Sequence, residues 1–171
     1  MKLDLGSGPV PHEGFTGVDK YDAGPDGILV DLQQFPWPWP DDSVDEVWCS
    51  HYIEHAPREL WCKFVDELHR VLKPGATATI QHPNVKSSRA FQDPWHVDFI
   101  PAERWAYADK QWRISQNLDR EPYPTCDFEL AAFNWVGVYP DLLAKSDLAK
   151  QNGVTHWWEG AADVMVVLKK R

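Results

Sequence analysis

Residues 2–19, KLDLGSGPVPHEGFTGVD, decide the fold. Lys2-Leu3-Asp4-Leu5 is a short aliphatic run that ends on Gly6-Ser7-Gly8-Pro9, and Thr16-Gly17-Val18-Asp19 is a second run that follows the turn residue Gly14. Runs of this length and composition, bounded by Gly and Pro, read as strands. Only residues 9–15 join them, and these include Pro9, Pro11 and Gly14. A parallel crossover normally takes a dozen or more residues and carries a helix. Seven extended residues nevertheless reach roughly 23 Å. Returning along a four-residue strand and stepping to its neighbour needs only about 14 Å. The sequence therefore predicts a helix-free crossover, which strips helical cover from part of one sheet face. Phe35, Trp37 and Trp39, or a second copy of the chain, are the expected cover for that patch.

Outward from this stretch the pattern repeats. Ile28-Leu29-Val30-Asp31-Leu32 reads as a third strand, and Val44 to Cys49 as a fourth after the turn Pro40-Asp41-Asp42-Ser43. Leu60, Trp61, Phe64, Val65, Leu68 and Leu72 recur at spacings of three and four, which predicts a helix over 57–72 with Pro57 at its first position. Glu59–Lys63 and Asp66–Arg70 stand at i,i+4 on its outer face, and Lys73-Pro74-Gly75 is a stop signal. Ala76 to Gln81 then reads as a fifth strand. A helix over 101–112, strands at 133–139 and 162–168, and a helical stretch at 140–151 complete the pattern. Strands alternating with helices imply an α/β layered sheet. The length suits one domain over 1–171, with an irregular segment at about 84–127 that serves as a lid or acceptor-binding region.

Composition narrows the function classes. The chain has 171 residues, 17 Lys plus Arg against 26 Asp plus Glu, and a formal net charge of −9. That balance argues against a surface that tracks the phosphates of nucleic acid. No apolar run is long enough to span a membrane, and there is no signal-peptide pattern. Three scattered cysteines, Cys49, Cys62 and Cys126, form no CxxC pair, so a reducing, cytoplasmic setting is the expectation.

The chemistry-bearing residues gather on one edge. Gly6 and Gly8 let backbone approach a ligand closely. As a dinucleotide fingerprint the loop is incomplete, because Pro11 stands at the third glycine position. Asp19 ends the second strand, Asp31 lies near the end of the third, Ser50-His51 ends the fourth and His82 the fifth. In an open α/β sheet, ligands bind beyond the carboxyl ends of the strands. Two acids beside a glycine loop there suit a nucleoside-type ligand.

The motifs LDLGSGP (3–9), GVD (17–19), VDL (30–32), FPWPWPDDSVDEVWCSHYIEH (35–55) and LHRVLKPG (68–75) resemble the successive motifs of class I S-adenosylmethionine-dependent methyltransferases. The order and spacing agree over residues 2–84, and Asp93-Pro94-Trp95-His96 is similar to a DPxH element that often follows the fifth strand. The short first crossover resembles a compact branch of that family. The resemblance implies a Rossmann-like sheet of about seven strands, mostly parallel, with a C-terminal antiparallel strand. It implies that Gly6, Ser7 and Gly8 line the methionine and ribose part of S-adenosylmethionine, and that Asp4 reaches the methionine amino group. Asp19 would hold the ribose hydroxyls and Asp31 the adenine amine, with Leu32 against the ring and Ser50 and His51 beside the methyl. S-adenosylhomocysteine would be the product. Val10 at the position of a common third glycine, and the lack of a helix ahead of the first strand in this sequence, imply a more open site.

A hydroxyl acceptor profits from a base titrating near neutrality. His51, His55, His82 and His96 are the candidates, with His51 and His96 the expected catalytic pair. A small-molecule or sugar-type acceptor and a possible homodimer are the expected partners. Two other readings remain. A non-catalytic scaffold or cofactor-binding module would keep the fold without turnover. His51-Tyr52-Ile53-Glu54-His55 also matches HxxEH, the inverted zinc-hydrolase pattern. That pattern needs both histidines on one long helix, whereas Pro57 restarts the chain two residues later, so no metal ligand is assigned.

Overall fold

The computed structural model describes residues 1–171. Strand alternation sets the first layer. In β1 (Lys2–Leu5), Leu3 and Leu5 point into the core, while Lys2 and Asp4 take the opposite face. The remaining strands are β2 (Thr16–Asp19), β3 (Ile28–Leu29), β4 (Val44–Ser50), β5 (Leu72–Pro83), β6 (Phe128–Val138) and β7 (Ala161–Lys170). They form one seven-stranded sheet in the order β3-β2-β1-β4-β5-β7-β6. β1 to β5 pair in parallel, and β7 runs antiparallel to both β5 and β6. The order reverses between β1 and β4, so their carboxyl ends flank a switch-point crevice.

One face of the sheet is covered by α1. α1 (Trp61–Val71) buries Trp61, Phe64, Val65, Leu68 and Val71 against Leu3, Leu5, Val47, Cys49, Ala78 and Ile80. Apolar burial of this kind is worth about 25 cal/mol per Å². The helix starts later than its periodicity suggests. Pro57 is extended at ψ 135°, and Arg58–Leu60 form a single tight turn before α1 begins. It also ends sooner, because Leu72 already pairs with Val44 in β5 and the Lys73-Pro74-Gly75 stretch is accommodated as an irregularity in that ladder. Nor does Asp66 meet Arg70. Arg70 pairs with Glu67 and Asp41, while Asp66 accepts the backbone N–H groups of Thr125 and Cys126, both at 2.8 Å. Asp66 thereby ties α1 to the entry of β6.

The crossover over residues 9–15 carries no helix. Its cover differs from the expectation. Trp37 and Trp39 are buried on the α1 side, Trp37 standing edge-on to Phe64 at 5.6 Å. The opposite face is capped near the switch point by the crossover itself, where His12 stacks on Trp48 at 4.3 Å and Phe15 packs edge-on to His12. Aromatic residues do cover the patch, but they come from the shortened crossover and from β4.

The segment between β5 and β6 contains α2 (Arg89–Gln92), a tight helical run over Ala102–Ala108, and α3 (Lys110–Ser115) capped by Asp109. The single helix expected over 101–112 is thus broken at Asp109, whose carboxylate accepts the N–H groups of Gln111 and Trp112. Much of this segment is core. Trp105 and Arg113 are fully buried, and Arg113 donates to the carbonyls of Tyr107 (2.7 Å) and Cys126 (2.8 Å). α4 (Pro140–Leu143) and α5 (Asp147–His156) join β6 to β7. No helix is long and apolar enough to cross a membrane.

Candidate functional site

The glycine loop turns back sharply at the carboxyl end of β1. Gly6 and Gly8 have φ of +73° and +57°, the left-handed region that costs a residue with a Cβ. Gly6 and Ser7 both donate to the Val18 carbonyl (2.7 and 3.2 Å), so the loop is pinned across β2. A Cβ on Gly6 would stand 2.5 Å from Cβ of Tyr52, whereas one on Gly8 would meet nothing within 4 Å. The loop therefore presents bare backbone towards open space at Gly8 and packs against Tyr52 at Gly6.

A cleft of about 300 Å³ opens beside it, lined by Gly6, Asp19, Asp31, Leu32, His51, Tyr52 and His55 among others. Asp19 is partly organised by the backbone: Oδ2 accepts from Gly8 N (3.2 Å) and Oδ1 from Tyr21 N (2.8 Å). Asp31 pairs with Lys20 at 2.9 Å, and that ammonium holds its carboxyl below the usual range. Leu32 is buried in the core and offers only its edge to the cleft. Asp4 and Ser7, with Ser50, line an adjoining cavity of about 270 Å³ under His12 and Trp48. Burial raises the Asp4 carboxyl, although its Oδ2 accepts from His12 N at 2.7 Å. Tyr52, Lys20, Tyr21 and His55 were not singled out for the cofactor from the sequence. Tyr21 and Lys20 carry a usable signal, since they directly follow the strand-end acid Asp19.

At the end of β4, His51 adopts φ +55° and aims its ring between two carboxylates. Nδ1 lies 3.1 Å from Glu54 Oε1 and Nε2 3.5 Å from Asp163 Oδ2. Asp163, above all, and Glu54 raise the imidazole to about 9. Asp163 also accepts from Gln81 Nε2 (2.9 Å) and faces Arg89 Nε at 3.2 Å. Both ring nitrogens of His51 are thus engaged. Asp163 sits on β7, far along the chain, and nothing local in the sequence marks it.

The other histidines separate by environment. His82 is fully buried, and its Nε2 accepts from Trp105 Nε1 at 2.9 Å while Nδ1 reaches the Pro83 carbonyl. Burial holds it below the ordinary imidazole value. It is a core residue. His96 lies outside the cleft, its ring 4.8 Å from that of His55. The HxxEH stretch does not form a helix that carries both histidines: His51 ends a strand, and only Ile53–His55 make a tight turn. Beyond Arg89 stand exposed aromatics, with Phe91 stacked on Phe99 (4.6 Å) and on Trp158 (5.9 Å).

A methyltransferase-domain family matches residues 15–80. The chain is 32% identical over 111 residues to a 2-phytyl-1,4-naphtoquinone methyltransferase of Nostoc sp., an alignment that covers 60% of this chain. It spans 46% of that relative's length, about half. Among solved structures, a SAM dependent methyltransferase from Archaeoglobus fulgidus superposes with a TM-score of 0.69 at 16% identity, covering 99% of this chain and 85% of the other. The [4+2]-cyclase SpnF also superposes, with a TM-score of 0.55 at 15% identity over 99% of this chain and 73% of the other. The fold therefore does not by itself fix the reaction. The strand order and the glycine loop at the switch point give the chain the Rossmann-like fold of the class I methyltransferases, and residues 15–80 match the methyltransferase-domain family.

Proposed function

We propose that this chain binds S-adenosylmethionine in the cleft beside the glycine loop and transfers its methyl group to a small-molecule acceptor, releasing S-adenosylhomocysteine. One observation carries the reading: a positive-φ glycine loop and two strand-end carboxylates, Asp19 and Asp31, share a single cleft at the switch point. The residues fit the group. Gly8 leaves room for the cofactor backbone, Asp19 stands where ribose hydroxyls would donate to it, and Asp31 stands one strand further out, towards the adenine. When bound, S-adenosylmethionine supplies a methyl on a sulfonium, which is already an activated leaving group. The protein's task is then to align the acceptor and exclude water.

His51 acts here as a positioning residue. With its two nitrogens held by Glu54 and Asp163, it fixes the wall of the cleft nearest β7 and carries a positive charge rather than a free lone pair. Phe91, Phe99 and Trp158 form an exposed aromatic stack, a surface that would suit a planar apolar acceptor. The naphthoquinone named for the Nostoc relative is an acceptor of that kind.

The test is calorimetric titration with S-adenosylhomocysteine. Asp19→Ala should weaken binding about tenfold or more, since it removes charged acceptors from ligand hydroxyls and frees the Gly8 N–H. A titration in which the variant binds as tightly as the wild type would remove Asp19 from the site. Binding without methyl transfer to any of a panel of hydroxylated aromatics would favour the non-catalytic reading.

A further inference from the structure

We propose that Glu54, His55 and His96 form a binding site for one divalent first-row transition ion, such as Zn²⁺ or Mn²⁺, at the wall of the cleft. A carboxylate oxygen of Glu54 and one ring nitrogen from each histidine lie within 4.8 Å of one another. The three come from two segments: the tight turn after β4 and the Asp93-Pro94-Trp95-His96 turn more than forty residues on.

Three features make this a built site. Glu54 is 2% exposed, and while Oε1 is held by His51, its Oε2 has no hydrogen-bond partner. An orphaned buried carboxylate oxygen is costly unless a cation or donor meets it. Both histidines are pre-oriented. His55 Nδ1 lies 3.1 Å from the Trp95 carbonyl and His96 Nδ1 3.0 Å from the Ala90 carbonyl. A carbonyl can only accept, so each Nδ1 carries the proton and each Nε2 keeps its lone pair for a metal. The two segments are also docked by backbone, with Val97 and Asp98 donating to the Glu54 carbonyl at 2.9 and 3.1 Å. Asp93 Oδ2 stands 3.9 Å from His96 Nε2 and is exposed enough to swing in as a further donor.

Two imidazoles and one carboxylate suit Zn²⁺, Mn²⁺ and their neighbours better than Ca²⁺ or Mg²⁺, which prefer all-oxygen shells. Three protein ligands leave positions open. His55 also lines the cofactor cleft, so those positions lie near the proposed transfer site. The ion would tie the 84–98 segment to the end of β4.

The experiment uses the full chain stripped with a chelator, then titrated calorimetrically with Zn²⁺ and, separately, Mn²⁺. One equivalent should bind to the wild type, and affinity should fall about tenfold or more in His55→Ala, His96→Ala and Glu54→Gln. Exposed His156→Ala should bind as the wild type does. Substituting Co²⁺ gives a second readout, a visible d–d absorption from the wild type and His156→Ala but from none of the three ligand replacements, and its presence in the wild type decides the matter if those replacements do not fold. Absence of stoichiometric uptake, or uptake that all three replacements leave unchanged, would overturn the site. Titration of S-adenosylhomocysteine under chelator keeps the two readings apart: binding retained there with no metal uptake sinks only the metal site. Metal uptake with no cofactor binding sinks only the cofactor reading.

Discussion

Trp105→Ala should lower the unfolding free energy by about 3–5 kcal/mol, the range for truncating a buried indole. Trp105 is fully buried, packs 5.9 Å from Trp61 in α1, and donates its indole N–H to His82. Truncation therefore opens a cavity between α1 and the 102–108 run and also strands Nε2 of a buried imidazole. Trp105→Phe separates the two effects: most of the packing survives, the donor is lost, and the expected cost is about 1–3 kcal/mol. The same pair predicts a pH dependence. Burial depresses His82 in the folded state. The unfolded chain then binds a proton that the folded one resists, so this contribution is fully present above about 6.5 and declines as pH falls below it. Denaturant unfolding of the wild type, both variants and His82→Gln at pH 5.5 and 7.5 measures all of this. A Trp105→Phe variant as stable as the wild type would show that the hydrogen bond contributes nothing net.

The second large effect is expected on ligand binding. Gly6→Ala places a Cβ on a residue with φ +73°, 2.5 Å from Cβ of Tyr52. The left-handed conformation alone costs a residue with a Cβ about 1–2 kcal/mol. The overlap adds to it, because Tyr52 is partly buried and packs beside Phe64. Relief must come from moving either Tyr52, which lines the cleft, or the loop that donates to Val18. Binding of S-adenosylhomocysteine should fall at least about tenfold, with a lower melting temperature. Gly8→Ala shares the backbone cost but meets no neighbour, so it should be milder in stability. Equal behaviour of the two variants would show that the contact with Tyr52 is unimportant.

Much of this protein was legible from local pattern. Seven strands, the order of helices and strands, the helix-free crossover and the α/β class follow from runs of aliphatic residues punctuated by Gly and Pro. Element boundaries were less so, and the reason is specific. Leu72 continues the helical spacing, yet it leaves the helix because Val44 offers it a strand partner. Asp109 looks like any polar residue within a helix, yet it caps one. Trp37 and Trp39 were expected on the thinly covered face. They pack instead on the α1 side, where Phe64 gives Trp37 an aromatic partner, and His12 took that cover through Trp48.

The candidate site divides in the same way. Local pattern placed the Gly6-Ser7-Gly8 loop, Asp19, Asp31, Ser50 and His51 on one edge, because strand ends in a parallel sheet converge by topology, and the family resemblance added Asp4 and Leu32. Tertiary structure decided where the histidines sit and what each one meets. His82 and His96 look alike in the chain, but burial against Trp105 makes one a core residue, while the docking of 93–98 onto Glu54 brings the other to His55. Asp163, the partner of His51, comes from a strand that runs antiparallel beside β5, a pairing between residues about eighty positions apart. Local pattern fixes which residues reach the edge of a sheet; only the packing of distant segments fixes which of them meet, since side-chain roles depend on neighbours that the chain supplies from elsewhere.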